Sequence, residues 1–121
     1  MNAKTRKEIE HLISKLNDIR SDLKETDKIS KVTFESLLEI SGNEFDKIKE
    51  TVRAFAEDER EKADNMFERF SGTERYDTLD MAASSLEDAA DSLESIESGD
   101  SVDDIIDAID DALESLNDAR E

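Results

Sequence analysis

The stretch LDMAASSLEDAADSLESIESGDSVDDIIDAIDDALESL, residues 79–116, decides how this chain folds. With Tyr76 in front of it, Leu79, Ala83, Leu86, Ala90 and Leu93 recur at steps of three and four. That is the heptad seam of a helix packed along one stripe. Ser98-Gly99-Asp100-Ser101 interrupts the pattern. Ser101 followed by Asp104 has the spacing of a capping box, in which hydroxyl and carboxylate satisfy free amides at a helix start. Val102, Ile105, Ile106, Ile109, Leu113 and Leu116 then form a second stripe. So short a connection predicts that the two helices run antiparallel, as an αα-hairpin. Ser85-Leu86-Glu87 and Ser92-Leu93-Glu94, seven residues apart, are heptad repetition and not a repeat architecture.

Towards the N-terminus the period persists. Ile9, Leu12, Ile13, Leu16, Ile19 and Leu23 mark a first amphipathic helix. Thr26-Asp27 offers a new N-cap, and Ile29, Val32, Leu37, Leu38 and Ile40 predict a second, shorter helix or a bent continuation of the first. Ser41-Gly42-Asn43 breaks the pattern, since Gly suits a helix C-terminus and Asn an N-cap. Phe45, Ile48, Val52, Phe55, Ala63, Met66, Phe67 and Phe70 then predict a helix of roughly 27 residues. Ser71-Gly72-Thr73 ends it, with Thr73 placed to cap the next. No segment alternates with period two, so strands are not expected. The expectation is an all-α single domain over 1–121: a small bundle of about five helices ending in an acidic αα-hairpin.

Composition narrows the function classes. A chain of 121 residues suits one domain. The absence of Cys excludes disulfides, thiolate metal sites and cysteine nucleophiles. With no Pro and three Gly, no glycine-rich phosphate cradle exists. No apolar run reaches signal-peptide length or the ~20 residues of a membrane span, so a cytoplasmic protein is expected. At a net charge of −18, nucleic acid and anionic lipid would repel the chain.

Charge is sorted along the chain. Residues 1–73 hold 17 acids and 14 bases, while residues 74–121 hold 17 acids and two bases. Between Arg75 and Arg120 stand 15 acids and no base. Asp100, Asp104, Asp107, Asp111, Glu114 and Asp118 share one face of the last helix by their spacing. Asp77, Asp80, Glu87, Asp91 and Glu94 do the same on the helix before, with Ser84 in the one gap. Two paired helices about 33 Å long carry about one carboxylate per 2.2 Å, against about one phosphate per 1.7 Å in duplex DNA. Asp outnumbers Glu here 11 to six, although Glu is the better helix former. Lys at i+4 would have relieved the repulsion and never occurs.

Two plainer readings compete. A charge run is commonly a solvated face. Alternatively, Lys4, Arg6, Lys7, Lys15, Lys24, Lys28 and Lys31 fold over the hairpin and neutralise part of it.

Chemical sites are sparse. Glu8 and His11 have the Glu-x-x-His spacing of di-iron bundles, but such a site needs two of these motifs and two more Glu. The Asp100–Asp104 turn lacks the oxygen register and Gly of a calcium loop. A lone histidine on a charged helix activates no nucleophile, so neither an enzyme, a cofactor nor a metal is expected. Phe45, Phe55 and Phe67 read as core, while Phe70 and Tyr76 flank the 71–73 turn and either pack it or anchor a partner.

Ala56-Glu57-Asp58-Glu59-Arg60-Glu61-Lys62-Ala63-Asp64-Asn65-Met66, then Thr73-Glu74-Arg75-Tyr76 and the Ala82–Ile96 run, resemble small acidic helical proteins of phages and prophages. Those carry Pro after Asn-Met where this chain has Phe67, and Ser-Leu where it has Arg69-Phe70. In charge and size the chain is also similar to phage DNA mimics, including anti-restriction and anti-CRISPR inhibitors. That similarity implies a partner class, the basic nucleic-acid-binding defence proteins of a host. The eleven carboxylates at Asp77, Asp80, Glu87, Asp91, Glu94, Asp100, Asp104, Asp107, Asp111, Glu114 and Asp118 would then stand in for phosphates. Two alternatives stay open: a helical adaptor or homodimer joined through the Ile9–Leu23 seam, and an acidic chaperone of a basic partner.

Overall fold

Apolar residues at three- and four-residue steps bury best along a helix face, and the described residues of the computed structural model follow that pattern with one exception. It describes residues 3–29, 37, 39, 42–70, 74–97 and 100–120. Four helices are defined there: α1 (Ala3–Ile29), α2 (Glu44–Phe70), α3 (Glu74–Glu94) and α4 (Val102–Arg120). Among the described residues there is no strand. The protein is all-helical.

Neighbours in space are α2 with α3, α3 with α4, and α4 with α1. One core joins all four helices. Ile9, Leu12, Leu16, Ile19 and Leu23 of α1 meet Phe45, Ile48 and Val52 of α2, Leu86 and Leu93 of α3, and Ile105, Ile109 and Leu116 of α4. Each such side chain removed from water contributes roughly 1.5–3 kcal/mol. The α3 seam is lined with small residues, Ala82, Ala83, Ala89 and Ala90, all buried.

Boundaries follow local chemistry. Gly42 has φ +57°, the left-handed conformation that costs a Cβ-bearing residue strain. Asn43 then opens α2, its carbonyl accepting the Lys47 amide hydrogen at 3.1 Å. At α4 the Asp104 N–H donates to Ser101 Oγ at 3.2 Å, and the Ile105 N–H to the Ser101 carbonyl at 3.0 Å. Ser101 is therefore the N-cap that its spacing predicts, but the return bond from the Asp104 carboxylate that would complete a capping box is not made among the described residues.

One expectation changes. Thr26-Asp27 is no boundary, because α1 runs through it to Ile29; a residue fit to cap a helix does not by itself stop one that is already propagating. The shorter helix expected up to Ile40 falls on 30–41, where only Leu37 and Glu39 are described, both in helical backbone and Leu37 fully buried. The Ser71-Gly72-Thr73 turn and Ser98-Gly99 lie outside the described residues, as do the side chains of Phe67 and Phe70. Phe45 is fully buried, and Phe55 is half-buried against the core.

A residue with no place in the apolar pattern lies on α2. Glu59 sits between Ala56 and Ala63 on the buried stripe and is 1% exposed. Lys62 Nζ reaches its Oε1 at 3.3 Å.

Candidate functional site

Helix α4 presents two opposite faces because its sequence alternates them. Ile105, Ile109, Ala112, Leu116 and Ala119 point into the core. Asp104, Asp107, Asp111, Glu114 and Asp118 are exposed on the other side, with Asp103 beside them. From 104 to 118 the row is about 21 Å long at ~1.5 Å rise per residue. Among the described residues none of those five carboxylates has an ion-pair partner. The flanks of α4 differ: Arg20 of α1 grips Asp110 through Nε, with Nη2 at 3.4 Å from Oδ2. Arg120 Nη1 reaches Glu10 of α1 at 3.1 Å.

The acids of α3 meet a different environment. Arg53 and Arg60 stand seven apart on α2, matching the heptad of α3. Arg53 Nη2 donates to Asp91 Oδ1 at 2.7 Å and to Glu94 Oε2 at 2.6 Å, and its Nε to Glu94 Oε1 at 3.2 Å. Arg60 Nη1 donates to Asp80 Oδ1 at 2.6 Å, while Nη2 donates to Glu87 Oε1 at 2.6 Å and to Ser84 Oγ at 3.1 Å. Ser84, the one uncharged position in the acidic row, thus shares a guanidinium with its neighbours.

These contacts raise both guanidinium pKa values above the ordinary, chiefly through the hydrogen bonds to Glu94 for Arg53 and to Glu87 for Arg60. The Arg53 hydrogen bond likewise holds the Glu94 carboxyl below its usual range. Arg53 has a second effect. The last turn of α3 contains no base, yet a cation is favoured at the negative end of a helix dipole. Arg53 supplies it from the neighbouring helix.

The eleven carboxylates expected to form one surface therefore divide. Asp80, Glu87, Asp91 and Glu94 are paired within the chain. Asp100 belongs to the turn, its Oδ2 accepting the Glu97 amide hydrogen at 2.9 Å. Asp77 is exposed on the first turns of α3, and the other five form the open row of α4.

Neutralisation by the N-terminal lysines is not what the contacts show. Lys15 pairs with Glu44 of α2 at 3.1 Å, and Lys4, Arg6, Lys7 and Lys24 are not paired with the acidic helices among the described residues. The side chains of Lys28 and Lys31 lie outside the described residues. Arg53, Arg60 and Arg20 take that role instead. The seven-residue interval between Arg53 and Arg60, equal to that between Glu87 and Glu94, was the available signal.

The remaining candidates have simple surroundings. Glu8 and His11 are exposed on α1. Among the described residues no group of three or more acids or histidines is placed to hold a metal ion. No helix among them is long and apolar enough to cross a membrane. A shallow cavity of about 490 Å³ between α1 and α2 is lined by Leu12, Lys15, Asn43, Glu44, Lys47, Ile48 and Thr51. Its charged groups include the Lys15–Glu44 pair. The Ile9–Leu23 seam is buried against the chain's own helices, Ile9, Leu16 and Leu23 completely. No known protein family, curated protein or solved structure matches the chain.

Proposed function

We propose that the chain is a binding protein, not an enzyme, which presents α4 as a rigid row of phosphate-like charges to a basic, nucleic-acid-binding partner. On this reading α3 and α4 are an antiparallel hairpin. Its open face enters a cationic groove and excludes nucleic acid, as phage-encoded inhibitors of restriction or CRISPR defence do in the host cytoplasm. One observation carries the reading: the same chain pairs Asp80, Glu87, Asp91 and Glu94 of α3 with arginines and leaves Asp104, Asp107, Asp111, Glu114 and Asp118 of α4 open. A face needed only for hydration has no reason to be kept free of the i+4 lysines that would stabilise it. Electrostatic steering makes such association fast and salt-sensitive.

The test is a charge-reversal pair. Asp104, Asp107, Asp111 and Glu114 changed together to Lys abolish capture of basic proteins from a nuclease-treated bacterial lysate, and duplex DNA competes for the same capture. Four reversals at the exposed Glu8, Glu57, Asp58 and Glu61 leave it intact. Equal loss from both sets refutes the assignment. An acidic chaperone would use the same face and differ in releasing an active partner. A homodimer through Ile9–Leu23 would require the chain to open its own core.

A further inference from the structure

Resting on that reading, the geometry of α2 and α3 leads further. We propose that Arg53 and Arg60 are built-in counter-cations that withhold Asp80, Glu87, Asp91 and Glu94 from a cationic partner and so confine its footprint to α4. Each arginine uses its fork on two carboxylates of α3, at 2.6–2.7 Å for the shortest bond to each. That is the geometry an arginine of a nucleic-acid-binding groove would adopt on them. A partner must therefore exchange with a cation already in place on these four acids of α3, whereas along Asp104, Asp107, Asp111, Glu114 and Asp118 no protein cation stands in its way among the described residues. Asp91 and Glu94 remain 70% and 45% exposed at the side chain, so removing the arginine leaves them within a partner's reach. Arg53 and Arg60 thus act on binding through other residues: they position the interface and do not join it.

A deca-arginine peptide serves as the probe, read by titration calorimetry and by amide chemical shifts of the labelled full chain. In the native protein, shifts concentrate on 103–118. In the Arg53→Gln, Arg60→Gln variant they extend over 80–94, affinity rises about tenfold, and binding falls more steeply with salt. The Lys4→Gln, Lys7→Gln variant changes net charge equally at exposed positions. It gains no more than about twofold and its footprint is unchanged. If circular dichroism shows the double Gln variant unfolded, Arg53→Lys with Arg60→Lys keeps the charge and loses the fork, and an intermediate extension onto α3 is expected. Native shifts that already cover 80–94, or arginine variants that behave like the lysine control, overturn the proposal. Peptide binding that survives reversal of Asp104, Asp107, Asp111 and Glu114 overturns the mimicry reading itself, whatever the arginine variants do.

Discussion

Ser101 stands where the chain enters α4, its Oγ accepting the Asp104 amide hydrogen. Ser101→Ala should lower stability by about 1 kcal/mol in urea unfolding, and Ser101→Asn should restore most of it. The Arg53–Glu94 contact makes a prediction in pH. Glu94 has a depressed carboxyl pKa in the folded state. Its contribution is therefore present above the unfolded value and is lost as pH falls through the folded one. A double-mutant cycle of Arg53→Gln and Glu94→Gln should show coupling of no more than about 1 kcal/mol at neutral pH, given the exposure, and none in strong acid. The cap was legible because its partners are three residues apart. The Arg53 and Arg60 contacts were not, because they join residues 20 to 41 positions apart on helices whose adjacency the shared seven-residue interval hints at but does not state.

Each helix divides into a face that packs and a face that does not, and the large side chains measure the first. Leu16→Ala or Ile109→Ala, both fully buried, should cost about 2–5 kcal/mol. Met81→Ala, at 69% exposure, should stay within about 0.5 kcal/mol. The open face of α4 predicts the reverse sign. Asp107→Asn, Asp111→Asn and Glu114→Gln together should raise stability, since like charges at three- and four-residue steps cost about 0.2–0.5 kcal/mol per pair; thermal unfolding at low salt checks it. At this scale the sequence was a good guide to which segments are helical and to where α2 and α4 begin, while α3 ends at Glu94, short of the Ser98 turn expected to close it. It failed at Thr26-Asp27, where residues fit to cap a helix lie inside one. It failed again at Glu59, a carboxylate on a buried stripe that no periodic rule anticipates.

Across the whole molecule, a charge of −18 opposes compaction. Raising ionic strength from 0.01 M to 0.15 M shortens the Debye length from about 30 Å to about 8 Å. The melting temperature should therefore rise with salt, even though the exposed ion pairs weaken. A fall would mean that the Arg20, Arg53 and Arg60 contacts outweigh the general repulsion. The alanine seam of α3 bears on a different question, the freedom of this chain to drift. Asp and Glu can replace one another along an open charged row with little effect on its potential. Ala82, Ala83, Ala89 and Ala90 have no such latitude, because each added methylene must push a neighbouring helix aside. Descendants of this protein should thus be recognisable by where their smallest side chains fall, long after their acids have been reshuffled.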